Sequence, residues 1–268
     1  MDNIDEYLRG DKLYGNDFDL LEIEKWYNDE KEAYADLGAK NKEDYSYAYH
    51  QLNNYLGYSH LLKKKYKRVL GFGSAYGDEL FPILDKIEEI VIIDPSDSFV
   101  HENLNGIPCK YIKPSINGEL PFDDHEFDLV VCLGVLHHIP NVSKVISELH
   151  RCMVPNGEML LREPIVSMGD WRSRRSGLTK RERGISLEVF NDFIKGAGLI
   201  IENEKLCVFP VITRISSMLN MQAYNSIILT RLDVFISRLF SWNVRYHTTK
   251  WVHKFRPSSI YYHLSKPA

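Results

Sequence analysis

The stretch from Val69 to Leu80, VLGFGSAYGDEL, does most to narrow what this chain can fold into. An apolar run enters a turn of small residues and leaves it as a helix, the order in which nucleotide-binding sheets build their first loop. Gly73 and Ala75 let a ligand approach the backbone, and Gly77 lets the helix start close to the sheet. The dinucleotide fingerprint G-x-G-x-x-G would need glycine at Tyr76, which argues against a nicotinamide or flavin enzyme. Asp94 follows 21 residues after Gly73, at the end of the apolar run Ile90 to Ile93. A carboxylate there can accept hydrogen bonds from both hydroxyls of a ribose, although Asp94-Pro95-Ser96 also reads as a simple turn. The spacing from Gly73 favours the ribose.

Around this pair the pattern is α/β. Arg68 to Phe72, Glu89 to Ile93, Phe127 to Leu133 and Glu158 to Arg162 are short apolar runs, and helical stretches over Asp78–Ile87, Val142–Cys152 and Ser186–Ala197 alternate with them. Ser186 is a candidate N-cap. This alternation implies a mostly parallel sheet with helices on both faces. Leu199 to Pro210 and Ser259 to Ser265 read as two further strands. Before the sheet, residues 1–66 place Leu20, Ile23, Trp26 and Tyr27, then Tyr45, Tyr49, Leu52 and Leu56, at helical spacing, which predicts a helical cap. The sheet domain is expected over 67–210 and 258–268, with a helical insertion or substrate lid over 211–257.

Charge is unevenly spread. The chain of 268 residues carries a net charge of −4, but residues 1–164 sum to −13 and residues 165–268 to +9. A basic C-terminal part suits an anionic partner, or the acidic half of the chain itself. Cys109, Cys132, Cys152 and Cys207 are scattered, so neither a zinc site nor a disulfide framework is expected, and they read as buried thiols. The first residues lack a basic start and an apolar run, which points to a cytoplasmic protein.

The run Glu119 to Arg162, ELPFDDHEFDLVVCLGVLHHIPNVSKVISELHRCMVPNGEMLLR, resembles the class I S-adenosylmethionine-dependent methyltransferases, with LPF, FD-hydrophobic, LHHI and P-x-G elements in that family's order. The resemblance covers residues 67–165. It implies a Rossmann-like sheet of seven strands whose last strand is antiparallel, and S-adenosylmethionine as cofactor. It assigns Gly71, Gly73, Ser74 and Ala75 to the methionine end of the cofactor, Asp94 to its ribose and Pro95 to its adenine. Ile116 and Asn117 would meet the adenine amine, and Leu133 and Gly134 would lie beneath the transferable methyl group. The family's D-x-G-x-G-x-G departs here: its acid is Gly71 and its middle glycine is Ala75. Asp78 or Glu79 can compensate, or the fold can be kept without catalysis.

His138, and with it His137, are the candidates for a base that takes a proton from an acceptor hydroxyl, the alternative being that both only pack the loop. Trp171, Arg172, Arg174 and Arg175, followed by Lys180, Arg181 and Arg183, form a candidate clamp for phosphate or carboxylate groups of a substrate, or a solvated loop, or a partner for the acidic cap. In the insertion, Ile227, Ile228, Leu229, Leu232, Phe235, Ile236, Leu239, Phe240 and Trp242, with Arg231 and Arg238 seven apart, give a basic amphipathic helix. Such a helix can rest on a membrane at the inner face, enclose an apolar substrate, or make a core or homodimer contact. The expected reaction is methylation of a hydroxyl, or an amine, on a small molecule or glycan carrying anionic groups, with a quinone or lipid-linked acceptor as the alternative. Bacterial glycan-modifying enzymes are the relatives this suggests. No RNA-recognition module is visible, so nucleic acid is not an expected partner.

Overall fold

The computed structural model describes residues 4–32, 42–43, 45–171, 173 and 175–268. Eight strands form one sheet: β1 (Tyr66–Phe72), β2 (Ile87–Ile93), β3 (Asn103–Leu104), β4 (Ile107–Ile112), β5 (Phe127–Leu133), β6 (Met153–Pro164), β7 (Ile200–Cys207) and β8 (Ser259–Ser265). Their order across the sheet is β3-β4-β2-β1-β5-β6-β8-β7. The block β4 to β6 is parallel, β8 runs antiparallel between β6 and β7, and β3 is antiparallel to β4. The expected seven strands are therefore joined by an eighth of two residues. β4 was not singled out in the sequence because Pro108 and Lys110 interrupt its apolar pattern.

The central strands are apolar without alternation because both of their faces are covered. Val69 and Leu70 of β1, Val91 and Ile92 of β2, and Val130 and Val131 of β5 are all fully buried. Successive side chains point to opposite faces, so they divide between two cores. On one face, Leu70, Val91 and Val130 pack with Val145, Ile146 and Leu149 of α4 (Val142–Cys152) and with Phe190 and Ile194 of α5 (Leu187–Gly196). On the other, Val69, Ile92 and Val131 pack with Leu52 and Leu56 of α3 (His50–Leu56) and Ile212 of α6 (Pro210–Met218). Two further helices, α1 (Ile4–Arg9) and α2 (Leu20–Glu30), precede the sheet. All four cysteines are buried free thiols.

Several local expectations change. The stretch after the glycine turn is 3-10 helix over Asp78–Lys86 rather than α-helix, with Pro82 inside it removing a donor that an α-helix would use. Ser186 does not cap α5; its hydroxyl donates to the Gly10 carbonyl at 2.6 Å and so ties the N-terminal residues to the sheet domain. β7 ends at Cys207, because Val208 turns to φ +62° and Pro210 opens α6. Tyr45 and Tyr49 precede α3, and Tyr49 stacks on Tyr224.

The helix α7 (Ile227–Leu239) packs Leu229, Val234 and Ile236 against the core but buries polar side chains most deeply. Its buried side chains are Thr230, Asp233 and Ser237, whereas Ile228, Leu232, Phe235 and Leu239 face outward. Asp233 explains the orientation. Its carboxylate accepts hydrogen bonds from the Val208 and Phe209 N–H groups at 2.9 and 2.7 Å and from the Tyr224 hydroxyl at 2.9 Å. It thereby satisfies the backbone where β7 gives way to α6. Among the described residues no helix is long and apolar enough to cross a membrane. Asp233→Ala is expected to leave these donors unsatisfied and to lower the unfolding free energy by about 3 kcal/mol in urea titrations. A loss within error would mean that packing alone orients α7.

Candidate functional site

The strand order reverses between β1 and β5, and at such a switch point the C-terminal ends of the strands leave a crevice. A cavity of about 590 Å³ occupies it. Gly73, Ser74 and Ala75 line it from the turn after β1, Asp94 and Pro95 from the end of β2, and Leu133 and Gly134 from the end of β5. Ile116, His137 and His138 complete the wall, so the structure brings together ten of the residues singled out in the sequence. Trp26, Glu30, Tyr45, Tyr47 and Tyr49 cover the cavity from the N-terminal side.

The turn after β1 is locked to the end of β2. Gly73 N–H donates to the Ile93 carbonyl at 2.7 Å and Ala75 N–H to Asp94 Oδ2 at 3.1 Å, while Ser96 N–H reaches Asp94 Oδ1 at 3.0 Å. Each Asp94 oxygen thus spends one acceptor site on the loop and keeps another for a ligand. Burial pushes the Asp94 carboxyl up to about 6, against the two N–H bonds that pull it down. Gly73 must be glycine: it sits at φ +67°, and a Cβ there would lie 2.3 Å from Val135. Ala75 holds a left-handed φ of +46°, which a side chain tolerates at a cost of roughly 1 kcal/mol.

Gly71 does not line the cavity. A Cβ at 71 would meet Ser74 Oγ at 2.5 Å and Ser74 Cβ at 2.9 Å, so the Ser74 side chain fills the space that a side chain at 71 would need. A carboxyl is nonetheless present nearby. Glu79 lines the cavity, and burial raises it to about 8, while the nearby Ser74 hydroxyl and the charge of Arg162 pull the other way. Arg162, at the end of β6, also lines the cavity, with its guanidinium 3.9 Å from the centre of the Tyr49 ring.

The two histidines are held in different states. His137 Nδ1 lies 2.7 Å from Glu163 Oε2 and its Nε2 lies 3.6 Å from Glu182 Oε1. Burial alone would lower His137, but Glu163 and then Glu182 outweigh it and raise the imidazole to about 9. His138 Nδ1 lies 2.9 Å from Glu30 Oε2 and 3.3 Å from Thr179 Oγ1. Burial and the neighbouring positive His137 lower His138, only partly offset by Glu30. A charged imidazole therefore stands beside a neutral one, with ring centres 4.1 Å apart. His137, His138 and Glu182 are also a grouping from which a metal ion could take ligands, their donor atoms lying within 4.8 Å of one another.

Other expected site residues are placed elsewhere. Asn117 turns its Oδ1 to the Glu119 N–H, and its carbonyl accepts from the Asn141 amide, so Ser115, Ile116 and Gly118 line the cavity instead. Trp171 is buried away from the cavity, stacked on Tyr14 with its N–H on the Ser167 carbonyl. Arg175 binds the carbonyls of Met168, Thr179, Lys180 and Glu182. These two residues hold the loop together rather than face a substrate in this cavity, and Arg172 and Arg174 lie outside the described residues. Lys180 and Arg181 pair with Asp29 of α2, and Arg183 is fully buried. Sequence reasoning missed Glu30, Arg162, Glu163 and Glu182. Glu163 and Arg162 carried a usable signal, since they end a strand at the ligand edge of the sheet. Glu30 and Glu182 are remote in sequence and carried none.

Residues 70–161 match the profile of a methyltransferase domain family. Among curated proteins the chain is similar to the tRNA U34 carboxymethyltransferase of Nautilia profundicola, 33% identical over 109 residues that cover 39% of this chain and 36% of the relative. It is similar to the demethylmenaquinone methyltransferase of Lactobacillus johnsonii, 25% identical over 43% of this chain and 46% of that one. The match thus spans less than half the length of either relative. Among solved structures, an S-adenosylmethionine-dependent methyltransferase of Mesorhizobium loti superposes with a TM-score of 0.54 at 13% identity, covering 80% of this chain and 98% of that one. The cyclase SpnF superposes with a TM-score of 0.54 at 16% identity, covering 82% and 81%. At such identities the likeness concerns the fold, which evidently serves more than one reaction.

The fit around Gly71 is open to a direct test. Gly71→Asp is expected to cost about 1–3 kcal/mol in thermal or urea unfolding, because the new side chain meets Ser74. The double variant Gly71→Asp with Ser74→Gly should recover most of that loss, and equal destabilisation of both would place the clash elsewhere.

Proposed function

We propose that this chain, whose residues 70–161 match a methyltransferase domain family, is a class I S-adenosylmethionine-dependent methyltransferase that methylates a hydroxyl of a small molecule or sugar bearing an anionic group. The observation that carries this reading is the shared cavity, which joins the Asp94 carboxylate to the neutral His138 imidazole.

The cavity suits S-adenosylmethionine by the chemistry of its walls. Asp94 offers a carboxylate to the ribose hydroxyls, Pro95, Phe99, Ile116 and Val145 offer apolar surface to the purine, and Glu79 offers an acid to the methionine amine. When bound, the cofactor supplies a methyl group on a sulfonium, so the leaving group is already activated and orientation supplies much of the rate. The protein's own task is to place the acceptor and take its proton. With Nδ1–H donated to Glu30, the neutral His138 ring carries a lone pair on Nε2, which makes no hydrogen bond among the described residues. Nε2 can accept the hydroxyl proton, and Glu30 then faces the imidazolium that forms. Arg162 is the buried cation suited to an anionic group on the acceptor.

A second reading, an amphiphilic acceptor such as a quinone, is favoured by the outward apolar stripe of α7. The demethylmenaquinone methyltransferase of Lactobacillus johnsonii and the human 2-methoxy-6-polyprenyl-1,4-benzoquinol methylase, both similar to this chain, agree with it by name.

Calorimetry with S-adenosylmethionine tests the cofactor site. Asp94→Ala should weaken binding by roughly tenfold to a hundredfold, the scale of hydrogen bonds to a charged group. In the wild type, affinity should decline as the pH falls through about 6, because the proton that then settles on Asp94 removes the charge that the hydroxyls prefer. Unchanged affinity in Asp94→Ala would show that the ribose lies elsewhere, and absence of binding in the wild type would favour a non-catalytic module.

Kinetics test the base. His138→Ala should lower kcat by about a hundredfold or more while leaving cofactor affinity intact. Glu30→Gln removes the charge that supports the imidazolium, so the acid limb of the kcat profile should move to lower pH. An acid limb that stays in place would reduce His138 to an orienting role.

A further inference from the structure

Thirteen of the twenty large apolar side chains that stand exposed among the described residues fall between Ile215 and Phe255. Scattered apolar residues need no explanation, but a concentration of this kind marks a contact surface. It has an internal order. Ile228, Leu232, Phe235, Leu239 and Trp242 follow one another at spacings of four and three, which aligns them along one side of α7 and the turn after it. The polar residues that would ordinarily face water, Thr230, Asp233 and Ser237, are buried instead.

The stripe continues beyond the helix. Asn243, buried after Trp242, donates its side-chain amide to the Val252 carbonyl at 2.9 Å and the Phe255 carbonyl at 2.7 Å. This brings the Trp251–Lys254 turn against the end of the stripe. Trp242 and Trp251 are each 71% exposed. Between Pro210 and Ser258 the chain has seven Lys and Arg residues and a single acid, Asp233, which is buried. An apolar surface carrying two exposed tryptophans and edged by cations, with no exposed acid, complements an anionic bilayer. A second copy of the same face would set cations against cations, which disfavours a symmetric dimer.

We propose that the face formed by α7 and the Trp242 and Trp251 turns docks on the surface of an anionic lipid bilayer. The aromatic side chains enter the headgroup region and Arg238, Lys250 and Lys254 meet lipid phosphates. The docked segment is joined to the cavity: Val208, Ser258 and Ser259 line it at the segment's two ends, and Tyr224 stacks on the cavity residue Tyr49. Docking therefore brings the cavity to the membrane. This inference stands whichever acceptor the cavity takes.

The test is flotation of the full chain with vesicles of phosphatidylcholine alone and of phosphatidylcholine mixed with phosphatidylglycerol. The protein should float with the mixed vesicles and remain behind with phosphatidylcholine. Phe235→Ser combined with Trp242→Ser should lower binding at least tenfold without lowering the melting temperature, since both side chains are exposed. Lys250→Ser with Lys254→Ser should weaken binding roughly fivefold for each cation removed and flatten its salt dependence. No flotation with anionic vesicles overturns the proposal. So does a concentration-dependent dimer in sedimentation that Phe235→Ser dissociates, because a second copy would then cover the face.

Discussion

Glu163 ends β6 with a fully buried carboxylate, and the loop that follows β5 is built around it. Its Oε1 accepts the Val135 and Leu136 N–H groups at 2.7 Å each, and its Oε2 takes His137 Nδ1 at 2.7 Å. A buried carboxylate without such donors would cost several kcal/mol, so the loop and the strand end hold each other in place. The same loop's carbonyls are satisfied by a charge of opposite sign. Arg183 donates to the carbonyls of Leu136, His137, Ile139 and Pro140, and from its Nε to that of Tyr14. An anion from the sheet takes the N–H groups and a cation from the following loop takes the C=O groups. The histidines are therefore fixed by charged groups of the sheet and of the following loop, which is how a site keeps its geometry.

The charge asymmetry resolves along the same lines, in two parts. The cations at 180–183 are spent internally, Lys180 and Arg181 on Asp29 and Arg183 on carbonyls. This joins the acidic α2 to the histidine loop, and the Trp26 indole, donating to the His138 carbonyl at 2.6 Å, completes the attachment. The cations from Arg214 to Lys254 share their segment with a single acid, the buried Asp233, and with an exposed apolar face. A sum over half the chain cannot separate these two uses of positive charge, because it records neither burial nor partners.

What the sequence made legible was whatever a short segment settles by itself. The turn at Gly73, Asp94 and the His137-His138 pair each lie within a few residues of a strand end, and the crevice at the switch point collects strand ends. The covering residues Glu30, Tyr47 and Tyr49 reach the cavity through tertiary packing and have no local pattern that distinguishes them from ordinary helix or loop residues. The basic run after Trp171 left several uses open for a related reason: its sequence does not tell that Lys180 and Arg181 pair with Asp29 while Arg175 and Arg183 serve backbone carbonyls. In α7 the helical period was correct, but the inward side carries Asp233, bonded to the Val208 and Phe209 N–H groups, along with Leu229, Val234 and Ile236.

The departure at Gly71 illustrates how a local loss can be carried by neighbours. Read along the chain, the glycine at 71 leaves the end of β1 without an acid. In the folded chain the space beside Gly71 is filled by Ser74, and the Glu79 carboxyl lines the same cavity as Ser74. An acid at 71 and a side chain at 74 cannot coexist without movement, so the two positions form one packing unit. Burial makes Glu79 reluctant to ionise when alone, at about 8, and a cation arriving beside it would reverse that preference. The carboxyl that the cavity does hold stands eight residues further along the chain, in the 3-10 helix that follows the turn.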